Sequence, residues 1–110
     1  MSEAFISSEE VEKALHWLRD SAADIGSAKA RAVKAEHMIR HIEALKFKEA
    51  DGSAEARKAH ARTTEEYVDA INEDAFAAGE LAKLYSLRDA ASMKIEAWRS
   101  QQANLRRMGT

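Results

Sequence analysis

His37 and His41 stand four residues apart, a spacing that sets two imidazoles on one face of a helix, the common way for a helix to offer two ligands to a zinc ion. His60 would approach His41 if the chain folds back between them. No glutamate occupies the general-base position of a helical zinc-protease motif and no second ligand pair is visible. The histidines therefore read as polar residues flanking Met38, Ile39 and Ile42, and no metal is expected. There is no cysteine, Gly-rich phosphate loop or nucleophile elbow. The carboxylates read as helix surface, so the expectation is a chain that is not an enzyme and needs no cofactor.

Residues suited to binding are easier to find. An acidic stretch, Glu65, Glu66, Asp69, Glu73, Asp74 and Glu80, could imitate nucleic-acid phosphates unless basic groups of the same chain neutralise it. Lys46, Lys48, Arg57, Lys58, His60 and Arg62 form one basic cluster, and Arg99, Arg106 and Arg107 form another. Lys and Arg supply the sequence-independent part of phosphate binding. Glu49, Asp51 and Glu55 dilute the first cluster, no aromatic is interleaved to stack a base, and the terminal arginines also suit the negative end of a helix dipole. Both read first as solvated faces. Trp17 and Trp98 are the large anchors, and Trp is enriched where binding energy concentrates. Trp17 lies beside Leu15 and Leu18 rather than squarely in their stripe, which makes it a candidate flank contact for a partner protein, whereas Trp98 reads as packing.

These residues must be positioned by helices. Zero Pro and four Gly in 110 residues leave one strong turn signal, Glu49 to Glu55. Gly52 can close one helix in a left-handed conformation, and Ser53 or Asp51 can cap the next. Net charge runs about −4 over 1–26, +4 over 27–62, −6 over 63–80 and +4 over 81–110. Folding back at Gly52 sets residue i opposite residue 104 − i, so that Lys29, Arg31, Lys34 and Arg40 face the acidic stretch. The same fold brings Glu9, Glu10, Glu12, Asp20 and Asp24 toward Lys83, Arg88 and Lys94. Exposed ion pairs contribute only about 0–1 kcal/mol each, so the pattern fixes register and direction.

The reading is all-α: a long antiparallel, coiled-coil-like helical hairpin in a single domain. Ser7 with Glu10 makes a capping box, and Phe5 or Ile6 can staple over it. The first helix is expected over about 8–48, with a stripe of Val11, Leu15, Leu18, Ala22, Ile25, Ala32, Ile39, Ile42 and Leu45. After a turn at about 50–53, the second runs over about 54–107. Its stripe reads Ala56, Ala59, Thr63, Tyr67, Ile71 and Ala78, then, out of phase beyond Gly79, Leu81, Leu84, Ala91, Ile95, Trp98 and Leu105. Gly26 and Gly79 fall nearly opposite each other. They predict close helix contact there, or else a break into shorter helices forming a small bundle.

Hydrophobic residues make up 45% of the chain, but nearly half of them are Ala, a helix-forming composition with a thin core. A two-helix hairpin leaves one side of each helix uncovered, so a homo-oligomer, most simply a dimer, is expected. The acidic, poorly apolar N-terminus is neither a signal peptide nor a membrane span, which predicts a cytoplasmic protein with no membrane partner.

The segment Ile95-Glu-Ala-Trp-Arg-Ser-Gln-Gln-Ala-Asn-Leu-Arg-Arg resembles the C-terminal ends of small helical proteins of tailed phages encoded among early and recombination genes. The resemblance covers about thirteen residues, carries no catalytic motif and implies a viral setting in the host cytoplasm. The chain is also similar in size and plan to secreted WXG-type hairpins, but Ala50-Asp51-Gly52-Ser53 stands where their Trp-x-Gly belongs. The leading expectation is a protein that binds another protein more readily than nucleic acid. In a phage setting it would inhibit a host defence or DNA-processing complex, as anti-CRISPR proteins and nuclease inhibitors do. A nucleic-acid accessory factor in recombination or replication, and a structural assembly element, are the alternatives.

Overall fold

The computed structural model describes residues 5–109, and 90% of these described residues are helical, with no strand among them. Three helices follow in order: α1 over Ser8–Glu49, α2 over Ala54–Arg62 and α3 over Glu65–Met108. The fold is the expected all-α helical hairpin, with α1 and α3 in contact.

Local chemistry accounts for each boundary. The Ser7 N–H donates to Glu10 Oε2 at 2.8 Å and the Glu10 N–H donates back to Ser7 Oγ at 3.2 Å, which satisfies two amides at the start of α1. At the tip, Gly52 takes φ +107°, and the Ala56 N–H donates to Ser53 Oγ at 3.1 Å. Ser53 rather than Asp51 is therefore the cap of α2.

The expected second helix divides after Arg62. Thr63 Oγ1 donates to the Ala59 and His60 carbonyls, and Thr64 Oγ1 donates to the Ala61 carbonyl at 2.9 Å. Such back-bonding offers carbonyls an alternative to the helical ladder. Thr64 Oγ1 then accepts from the Tyr67 N–H at 3.2 Å and caps α3, whose first turn carries Glu65 and Glu66 at the positive end of its dipole.

Packing divides the chain into two units, Met1–Ile25 with Lys83–Thr110, and Gly26–Ala82. In the first, Val11, Ala14 and Ser21 are buried, with Leu18, Ile25, Leu84, Ala91, Ile95 and Trp98 half-buried. In the second, Ala35, Ala61, Ala77 and Leu81 are buried, with Ala28, Ala32, Ile39, Ile42, Tyr67 and Ala70 half-buried. The covered positions of α1 alternate by three and four from Val11 through Ala14, Leu18, Ser21 and Ile25 to Ile42, the spacing of a coiled-coil seam.

The seam corrects the expected stripes. Leu15, Leu45 and Ile71 stay 43–51% exposed, and Ala22, Ala56, Ala59, Ala78 and Leu105 are exposed as well. Small residues, Ala14, Ser21, Ala28 and Ala35, take every second seam position instead. Along α3 the seam passes Tyr67, Ala70, Asp74, Ala77, Leu81 and Leu84 in unbroken three-four spacing, so there is no phase shift at Gly79. Both helices run unbroken through Gly26 and Gly79. A Cβ built on either glycine meets nothing within 4 Å, so the expected close contact of the two is absent.

Candidate binding faces

Several of the charged candidates are engaged within the chain. Arg31 Nε donates to Glu73 Oε1 at 2.6 Å and its Nη2 to Glu73 Oε2 at 3.0 Å, a bidentate pair obeying the 104 − i relation. The same guanidinium lies 4.9 Å from the Phe76 ring centre. Lys46 Nζ bridges Glu66 at 2.5 Å and Glu49 at 3.3 Å, and Arg62 meets Glu43 at 3.0 Å. Arg57 stacks 4.4 Å above the Phe47 ring and donates from Nε to the Phe47 carbonyl at 3.2 Å, tying α2 to the last turns of α1. Of the basic cluster expected at the tip, three members thus hold the tip together, while Lys48 and Lys58 remain on the surface, as does Arg106 on α3.

Among the acidic candidates, Glu66 and Glu73 are neutralised by Lys46 and Arg31. Their hydrogen bonds to those bases hold both carboxyls below the usual carboxylate value. Glu65 and Asp69 are exposed, and Asp74 is half-buried in the seam. Two of the six acidic residues of the stretch are thus paired with basic groups of the same chain. In the first unit Glu10 is also held low, chiefly by the Ser7 N–H and in smaller part by Lys94, which sits where the 104 − i relation puts it.

His37, His41 and His60 are all exposed, and among the described residues no three His, Cys, Asp or Glu side chains gather as a cation would require. Trp98 is half-buried in the seam, and its Nε1–H has no hydrogen-bond partner among the described groups.

Trp17 lies on the flank, as its spacing implied. It is half-buried and lines a groove of about 480 Å³ with Glu10, Lys13, Ala14, Leu87, Ala90, Ala91 and Lys94. The groove opens where Ala14 and Ala91, both small, line its floor. A second groove of about 330 Å³ opens over Ala35 and Ala70, with Arg31, Lys34, Met38 and Glu73 around it.

Sequence reasoning missed Gln101. Its side-chain amide accepts from the Ile6 N–H at 3.0 Å and donates to the Ile6 carbonyl at 2.8 Å, holding the residue ahead of the capping box against α3. Ile6 thus serves as the ligand of an amide, and Phe5 remains 65% exposed. A lone glutamine on a helix surface gives no signal of this kind.

Among the described residues no helix is long and apolar enough to cross a membrane. No protein-family model, curated protein or solved structure matches the chain.

Proposed function

We propose that this hairpin works by protein–protein binding, self-associating and presenting the Trp17 flank to a partner protein. The observation that carries the reading is uncovered apolar surface. Leu15, Val68, Ile71, Phe76 and Leu87 are each 43–55% exposed, and among the described residues no large side chain is fully buried. Surface of this kind marks interaction faces.

A protein partner is favoured over nucleic acid because Lys46, Arg57 and Arg62 are occupied in holding the tip and the net charge is −2. In the viral setting that the C-terminal segment implies, the hairpin would act by occupying a host protein rather than by changing a substrate. Inhibition through an apolar anchor does not need the acidic stretch.

Sedimentation tests the first half, with a dimer or higher oligomer expected at tens of micromolar. A monomer that still unfolds cooperatively would mean that the chain closes on itself. For the second half, Trp17→Ala should weaken a captured protein partner about thirtyfold or more, as truncated hot spots do, while Lys48→Ala with Lys58→Ala costs far less. The opposite ranking, together with salt-dependent binding of single-stranded DNA, would transfer the case to the nucleic-acid reading.

A further inference from the structure

Gln101 holds the residues ahead of α1 by their backbone. Its amide oxygen accepts from the Ile6 N–H at 3.0 Å and its amide nitrogen donates to the Ile6 carbonyl at 2.8 Å, so one side chain satisfies both polar groups of one residue. Among the described residues no other hydrogen bond or ion pair joins residues 5–7 to α3. Packing adds little beyond the half-buried Ile6 side chain, since Phe5 is 65% exposed.

The start of α1 does not depend on this contact. Its cap is closed within residues 7–11, by the reciprocal bonds of Ser7 with Glu10 and by the Val11 N–H, which donates to the Ser7 carbonyl at 3.2 Å. Releasing Ile6 from Gln101 therefore breaks two hydrogen bonds and leaves the cap whole. Segments with few buried apolar contacts open locally, well before the fold as a whole. Two hydrogen bonds of ordinary net strength favour the closed form over the open one by only about five- to 150-fold.

The closed segment also builds a groove of about 460 Å³. Phe5 and Ile6 line one side of it, and Ala97, Ser100, Asn104 and Leu105 of α3 line the other. Opening takes the first wall away. We propose that Gln101 is a latch: residues 5 and 6 leave α3 as a unit while α1 and α3 stay folded, and the groove is assembled only while the latch is closed. The inference stands apart from the self-association and the Trp17 face proposed above.

Amide hydrogen exchange, read residue by residue by NMR on the full chain, tests the latch. The Ile6 amide should be protected about five- to 150-fold over an unfolded chain, far less than Leu18 inside α1. Gln101→Ala should abolish the Ile6 protection and leave that of Ser7 and Leu18 near the parent's. An unprotected Ile6 amide in the parent would overturn the proposal, because the two bonds would not be formed in solution. Ile6 protection equal to that of Leu18, or lost together with that of Ser7 in the variant, would also overturn it, because the segment would not open as a separate unit.

A second variant tests the donor and acceptor roles of the side chain. In Gln101→Glu the ionised carboxylate can accept from the Ile6 N–H but has no donor for the Ile6 carbonyl, so Ile6 protection should fall at neutral pH. Protonation restores one donor and one acceptor, and the protection should return below the ordinary glutamate value of about 4.3. The same Ile6 protection at both pH values, with Leu18 as the internal reference, would overturn the latch.

Discussion

Gly26→Ala tests whether the outer surface of α1 is as open as its geometry indicates. Gly26 lies inside a helix of 42 residues, and an added Cβ would meet nothing within 4 Å. The substitution therefore brings no clash and removes the conformational freedom that glycine gives the unfolded chain. In a helix interior that difference is about 0.5–1 kcal/mol in favour of Ala. For a chain of this length it corresponds to a rise in Tm of roughly 2–6 °C. Urea unfolding monitored by circular dichroism, at one fixed protein concentration, should show a higher midpoint with an unchanged slope. A lower midpoint would refute the reasoning, because it would mean that a backbone or side chain approaches Gly26 in solution and that the expected helix contact at this glycine exists after all.

At the tip the sign reverses: Gly52 holds φ +107°, so Gly52→Ala should cost about 1–3 kcal/mol in the same assay although its Cβ would meet Ala56 at an ordinary 3.5 Å. Stability should also fall in acid. The carboxyls of Glu66 and Glu73 titrate below their ordinary 4.5 in the folded chain, so the stabilisation they add is complete above that value and is lost as pH falls through the lower folded value. Glu73→Gln should flatten part of that decline in urea midpoint against pH, and an unchanged profile would mean that the Arg31 pair is not formed in solution.

The helix starts and the tip were legible because their signals are local. Ser7 and Glu10 find each other three residues apart, and Gly52 and Ser53 need no distant partner. The break after Arg62 had a local signal as well, Thr64 followed by Glu65 and Glu66, but it was outweighed by the helix-forming composition on both sides of it. The seam was misread for a different reason. Large residues were preferred to small ones, so Leu15 displaced Ala14, Leu45 was added, and Ala28 and Ala35 were passed over. On α3 the residues Ile71 and Ala78 were joined to the covered stripe, although both are exposed, and this produced the apparent phase shift at Gly79. The roles of Lys46, Arg57 and Arg62 were not legible, since each depends on a group brought near by the fold: Glu66, the Phe47 carbonyl and Glu43.

The division of labour between charge and apolar surface has a thermodynamic consequence. Exposed pairs such as Arg31 with Glu73 set the register of α1 against α3 but contribute little to stability. The seam beneath them is built largely from Ala, which buries little area per residue, and Leu81 and Val11 are the only buried residues of any size among those described. Each large side chain left outside, Val68 or Ile71 for example, therefore represents burial that the single chain forgoes. If association supplies it, folding and association are linked, and the unfolding midpoint must rise with protein concentration by mass action. The rise follows whichever face is used, and a midpoint that does not move with concentration would mean that the exposed side chains stay uncovered in solution.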